Sequence, residues 1–242
     1  MTTPDTAAAR AELAPQGVLH VGLNLSNFLL VGGDAATGYR GIVPDLAREL
    51  ARRLEVPLEF IGYPSPGKVT EAARTGAWDV AFLAVEPARA TEIHFSPAYV
   101  EIQSTYLVPP GSPIRSVADV DRPGVRVAVA ATSAYDLYLT RTLKHASLHR
   151  VTGLDASYDL FINEKMDVLA GLRPRLSLDV KRLPGARVLD ESFTAVQQAI
   201  GTPRGREAGA AWLRAYAGDI KRSGLVAQAI AAHGVVGVNI AA

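Results

Sequence analysis

The run VAFLAV at residues 80–85 is apolar at every position, and KVTEAARTG just before it has the make-up of a short helix stopped by Gly76. A strand that is apolar on both faces has to be covered on both, and a helix leading into it supplies the crossover that parallel pairing needs. The same grammar stands upstream. VLHVGLNL at residues 18–25 alternates and is rich in β-formers. GIVPDLARELARRLEVPLEFIGY then puts Pro44 in a first helical turn, Leu46, Leu50 and Leu54 at four-residue spacing, and Leu58, Phe60 and Tyr63 in extended chain. Strands alternating with helices define an α/β chain with mostly parallel sheet and helices on both faces.

A second block opens at STYLVPPGSPIRSVADVDRPG, a strand running into the Pro- and Gly-rich composition expected where a chain leaves one lobe for another. VRVAVAATSAYDLYLTRTLKH reads as strand, turn and helix, SYDLFINEKMDVLAGL as helix and strand, and FTAVQQAIGT as extended chain. Two closing helices split near Gly224 end the pattern. No short-period repeat is present, although the two blocks share their strand and helix order. Residues 1–17 read as a polar tail.

The 242 residues carry 25 basic and 24 acidic side chains, a net charge of +1 that gives no field favouring nucleic acid or an anionic membrane. No apolar run is long enough for a membrane helix. The absence of cysteine removes disulfides, thiolate catalysis and Cys-ligated metals. MTTPDTAAARAELAPQG has acidic residues, an early Pro and no apolar core, unlike a secretory signal. Taken as a natural start it implies the cytoplasm; taken as the start of a trimmed mature form it leaves the periplasm open.

The order of elements resembles bacterial solute-binding proteins of family 3, with the type 2 periplasmic binding protein fold known for amino-acid uptake. The likeness runs over about residues 18–234 and rests on GYRGIVPDLARELARRLEV, AARTGAWDVAFLAVEPARATEIHFSPAY, SVADVDRPGVRVAVAATSAYDLYL, NEKMDVLAG and SGLVAQAI in that order. It implies two α/β lobes joined by two crossing strands, residues 1–107 with 196–242 and residues 108–195. It also implies a small-molecule ligand in the cleft, closure about the hinge, and an ABC permease as partner if the protein is exported. No cofactor or metal is expected.

In the resemblance, the segment EPARATEIHFSPAY carries an Arg that grips the ligand carboxylate, here Arg89. A planar guanidinium suits two carboxylate oxygens at once, although an Arg after an apolar strand is also a common ion-pair residue. The second anion contact falls at AATSAY, where a strand turns into a helix. Backbone N–H groups there lack helical partners, and Thr132 and Ser133 add hydroxyls; either is equally a helix cap.

Other positions depart from an amino-acid binder. Leu172 stands where the resemblance expects the Asp that takes the ligand ammonium, Ala84 where it expects a Thr, and Glu86 where it expects a second Thr. Glu86 either replaces the lost acid or pairs with Arg89. Lys68 is a second candidate cation, with a solvated surface Lys as the plain alternative. Asn24, Ser26 and Asn27 follow the first strand, where ligands of open α/β sheets bind. Tyr135 and Asp136 follow the anion turn, Arg173 offers a positive group suited to a diacid, and Gln197 or Gln198 can point an amide into the cleft.

His145 and His149, four apart, have no third metal ligand nearby and read as a solvated helix end. LVGGDAATG lacks the spacing of a dinucleotide loop and reads as a turn. The leading expectation is a non-catalytic binder of a carboxylate other than an ordinary α-amino acid, in transport or as a cytoplasmic sensor or carrier. The alternative is a lyase of the cyclohexadienyl dehydratase type on the same fold. There Glu86 would have to donate a proton beside a cation that opposes this.

Overall fold

The computed structural model describes residues 5–242. In chain order it contains α1 (Thr6–Leu13), β1 (Leu19–Asn24), α2 (Ile42–Leu54), β2 (Leu58–Tyr63), α3 (Pro66–Ala73), β3 (Val80–Ala84), α4 (Pro87–Ala90), β4 (Ile93–Phe95) and β5 (Val100–Val108). There follow β6 (Arg126–Ala130), α5 (Ala134–Thr142), β7 (Ser147–Val151), α6 (Leu154–Asn163), β8 (Val168–Leu172), α7 (Arg173–Asp179) and β9 (Arg187–Val188). β10 (Thr194–Pro203), α8 (Glu207–Arg222), α9 (Leu225–Ala232) and β11 (Asn239–Ile240) complete the chain. Among the described residues no helix is long and apolar enough to cross a membrane.

The chain divides into two compact units: residues up to Glu101 with Gln197–Ala242, and Ile102–Val196. Residues 102–107, grouped with the first lobe from sequence, fall in the second unit because β5 pairs there with β8, from Ser104 opposite Leu172 to Leu107 opposite Leu169.

In unit 1 the strand order is β2-β1-β3-β10. β1 runs parallel to β2, Leu19 opposite Leu58 through Asn24 opposite Tyr63, and parallel to β3, with Val21 opposite Val80. β10 returns antiparallel to β3, Gln198 opposite Ala84. Every residue of β3 is buried, as the apolar run demanded. α3 covers one face, packing Val69 and Ala73 with Ala81 and Leu83. Within the stretch read as a polar tail, Thr6–Leu13 form α1, capped by the Asp5 carboxylate, which accepts from the N–H groups of Ala7 and Ala8. Ala9 and Leu13 are its buried residues. Leu13 lies so close to Gly209 of α8 that a Cβ there would come within 2.7 Å of its Cδ2.

Unit 2 repeats the plan with strand order β7-β6-β8-β5. Successive residues of its strands alternate between two cores. Tyr106, Val127, Val129 and Val168 pack with Leu139 of α5, while Leu107, Ala128 and Leu169 pack with Tyr158 and Phe161 of α6 and Leu176 of α7. Each unit also uses one Asp in the same way. The Asp79 N–H donates to the His20 carbonyl at 2.8 Å and its carboxylate accepts from the His20 N–H at 3.0 Å. Asp167 does the same with Arg126, at 3.1 and 2.8 Å. His145 and His149 do not share a helix: α5 ends at Thr142 and His149 belongs to β7. Asp34 closes the LVGGDAATG turn by accepting from the N–H groups of Ala36 and Thr37.

Candidate functional site

The parallel strands of unit 1 end at Asn24, Tyr63 and Ala84; Asn24 and Asn27 lie at and just beyond the end of β1, and Glu86 and Arg89 just beyond β3. Pro87 starts the one-turn helix α4 with Glu86 in the capping position, and the Arg89 N–H donates to the Glu86 carbonyl at 2.9 Å. This turn folds Arg89 back under the strand end. Its Nη1 donates to the Ala84 carbonyl at 2.9 Å, and the residue is only 3% exposed. Desolvation brings the guanidinium down to about 10, with the Glu86 charge acting in the opposite direction. It stays a cation at neutral pH, buried and backed by a carboxylate that is itself 7% exposed. The sequence left Glu86 open between replacing an acid and supporting Arg89; its burial and its charge on Arg89 favour the second.

The turn after β1 is held by Asn24, whose Oδ1 accepts from the Ser26 hydroxyl at 2.8 Å. Asn27 carries a buried Oδ1 without a hydrogen-bond partner, an acceptor open to a donor group. Lys68 lies on the exposed side of α3, paired with Glu71 at 2.7 Å. Gln197 spends its amide on Glu101, donating to Oε2 at 2.7 Å. Its neighbour Gln198 is buried and accepts from the Tyr99 N–H through its carbonyl.

In unit 2 the Thr132/Ser133 turn is present, with Thr132 in the left-handed region at φ 60° and Ser133 capping α5 by accepting from the Asp136 N–H at 3.1 Å. The buried Asp136 carboxylate then occupies the turn from within. It accepts from the Thr132 N–H at 2.9 Å and from Arg150 Nε at 2.8 Å. An anion arriving at this turn meets a resident carboxylate.

Two further candidates of unit 2 are engaged within that unit. Tyr135 is buried in the core, its hydroxyl without a hydrogen-bond partner. Burial pushes it up to about 12, opposed in part by the nearby Ser133 hydroxyl. Arg173 is the candidate positive group suited to a diacid. It donates to Gln103 Oε1, to the Leu189 and Asp190 carbonyls and to the Ser192 hydroxyl, at 2.7–3.1 Å. It ties the end of β8 to residues 189–192. Leu172 packs against the core, and no acid stands at that position. Among the described residues no group of three or more His, Cys, Asp or Glu is arranged to hold a metal.

The profile of the bacterial extracellular solute-binding proteins, family 3, matches residues 20–234, and the chain belongs to that family. Solved structures agree in fold. An ancestral amino-acid-binding protein described as a precursor of cyclohexadienyl dehydratase superposes with a TM-score of 0.76 at 21% identity, over 92% of this chain and 97% of that one. A mutant of ArgBP from T. maritima gives 0.74 at 20%, over 92% and 97%. A solute receptor for L-cysteine of Neisseria gonorrhoeae gives 0.76 at 19%, over 96% and 93%. No curated protein sequence matches. The fold is therefore the two-lobed periplasmic binding protein fold, in a family that is mainly non-enzymatic, binds small molecules and works with ABC transporters.

Proposed function

We propose that the protein is a non-catalytic binder of a small carboxylate-bearing solute, with Arg89 as the carboxylate grip of unit 1. The observation that carries this reading is a buried guanidinium, held by the Ala84 carbonyl and backed by Glu86, at the C-terminal edge of a parallel sheet. Burial strengthens its attraction for an anion and the Glu86 carboxylate limits the cost of keeping it charged. Leu172 offers nothing to an ammonium, so the ligand is not held as an ordinary α-amino acid. Membership of the family supports delivery to an ABC permease. Cell fractionation of the natural gene product separates an exported transport component from a cytoplasmic carrier.

The test is a thermal-shift screen of carboxylic and amino acids on wild type, Arg89→Lys and Arg89→Ala. Saturating ligand should stabilise wild type, by about 2.7 kcal/mol at a hundred times Kd, and both variants should lose the shift. A shift that survives in a folded Arg89 variant overturns the assignment. A second reading, a lyase, draws support from the neighbour described as a precursor of cyclohexadienyl dehydratase. It would be favoured by turnover of prephenate or arogenate that Glu86→Gln abolishes.

A further inference from the structure

Strand β11 lies beyond residues 20–234, the part of the chain that the family profile matches, and it pairs with the start of β5. Asn239 stands opposite Glu101 and Ile240 opposite Val100, antiparallel, and the Ala241 N–H donates to the Tyr99 carbonyl at 3.2 Å. Lys221 of α8 anchors the same segment, its Nζ donating to the Ala241 carbonyl at 3.3 Å and to the Ala242 carbonyl at 2.9 Å. The Ala241 side chain is buried.

The strand that β11 covers belongs to both units. β5 passes from unit 1 to unit 2 between Glu101 and Ile102. Val100 and Glu101 pair with β11, and Ser104 to Leu107 pair with β8. Ile102 and Gln103 lie between these two partners. The N–H and C=O groups of successive strand residues point to alternate edges. The Ser104 carbonyl is turned toward β10, accepting at 3.0 Å from the N–H of Phe193 just before that strand. The backbone groups of Glu101 and Gln103 therefore face the other edge, where those of Glu101 meet β11 and those of Gln103 face the interval between β11 and β8. Gln103 is exposed.

Side chains mark the same boundary. Glu101 accepts from the Gln197 amide at 2.7 Å, and both residues belong to unit 1, at the points where the chain leaves and re-enters it. Gln103 accepts from Arg173 Nε at 2.9 Å, and both belong to unit 2. We infer that β11 is a strap on the crossover strand: it holds β5 to unit 1 as far as Glu101, confines bending to Ile102 and Gln103, and so restricts motion about the crossing strands. Without it this edge of β5 lacks a partner from Val100 to Gln103, four residues in place of two. That doubles the soft backbone dihedrals free to bend. The strap acts in this way whatever solute the protein binds.

The chain has no cysteine, so spin labels can be placed at chosen sites. One pair, Thr75→Cys with Lys144→Cys, reports across the units, and a control pair, Thr75→Cys with Arg214→Cys, lies within unit 1; all three positions are exposed. Label distance distributions and amide exchange are measured without ligand for the full chain, for a truncation after Val238 and for Ala241→Pro, which removes the N–H given to Tyr99. In the truncated chain the distribution across the units should widen by about half or more, and the Glu101 amide should exchange about tenfold faster or more. Ala241→Pro should move both in the same direction by less. The Ser104–Leu107 amides and the control pair should stay as in the full chain. An unchanged width across the units in the folded truncated chain overturns the strap. Widening of the control pair overturns it too, because the segment would then only support unit 1. If the truncated chain does not fold, Ala241→Pro decides by the same criteria.

Discussion

Asp136 shows how one side chain sets what a helix start can do. The first turn of α5 offers N–H groups to an anion, but the Asp136 carboxylate has already taken that of Thr132 and fixes Arg150 from the other side. Asp136→Ala should destabilise the protein by about 1–3 kcal/mol in urea denaturation, because a buried donor and a guanidinium lose their acceptor together. The duplicated strand-entry Asp makes a sharper comparison. Asp79 is buried and also bonds Arg206 at 2.7 Å, while the Asp167 side chain is 41% exposed. Asp79→Ala should cost about 3 kcal/mol and Asp167→Ala about 1. Equal costs in matched denaturation curves would show that the backbone bond to the neighbouring strand, common to both, carries the effect alone.

At the scale of elements, α2 and α8 are joined by a chain of charges. Arg52 and Arg53 both donate to Glu49 at 2.7 Å, and Arg53 also reaches Asp219 of α8 and stacks over Tyr216, 5.2 Å from its ring centre. The Arg52 hydrogen bond, opposed by burial, draws Glu49 from 4.5 down to about 2. A carboxylate lowered on folding stabilises above its unfolded value and loses that contribution as the pH falls through its folded one. For a pair partly in solvent this is worth about 1 kcal/mol. Glu49→Gln should therefore lower stability at pH 7 by about that amount and flatten the stability profile between pH 4.5 and 2. An unchanged acid limb would remove Glu49 from the linkage.

Elements of this kind were legible where period and burial agree. Leu46, Leu50 and Leu54 mark α2, the unbroken apolar run marks β3, and Gly76, at φ 64°, follows α3 where a stop was expected. α1 was not legible, because its buried face is little more than Ala9 and Leu13 and depends on Gly209 some 200 residues away. The candidate site was legible to the same degree. Arg89 and the Thr132/Ser133 turn were placed by the family resemblance, but that Arg173 is engaged depends on partners brought in from elsewhere in the fold, Gln103 and residues 189–192, whereas Lys68 pairs with Glu71 on its own helix. Leu25 and Val85 look like core residues in sequence, and only the ends of β1 and β3 leave them partly exposed.

For the whole molecule, the repeated plan is the main consequence of the sequence grammar. The orders β2-β1-β3-β10 and β7-β6-β8-β5 are the same construction, each closed by an antiparallel strand that crosses between the units. Each unit has its own core, and Ile102–Val196 is a single insertion into the other. The two crossing strands lie close on both sides of the division. The Tyr99 N–H donates to the Gln198 carbonyl at 2.9 Å within unit 1, and the Phe193 N–H to the Ser104 carbonyl at 3.0 Å within unit 2. A short Gly-rich turn can therefore replace the inserted segment without stretching the chain. Unit 1 rebuilt in this way, and Ile102–Val196 expressed alone, should each give a single cooperative urea transition, the longer piece with the larger m value. Their m values should sum to roughly that of the intact chain, since m follows the surface exposed on unfolding. A piece that unfolds without cooperativity would show that its core needs the other unit, and that the two cores are one folding unit despite their separate packing.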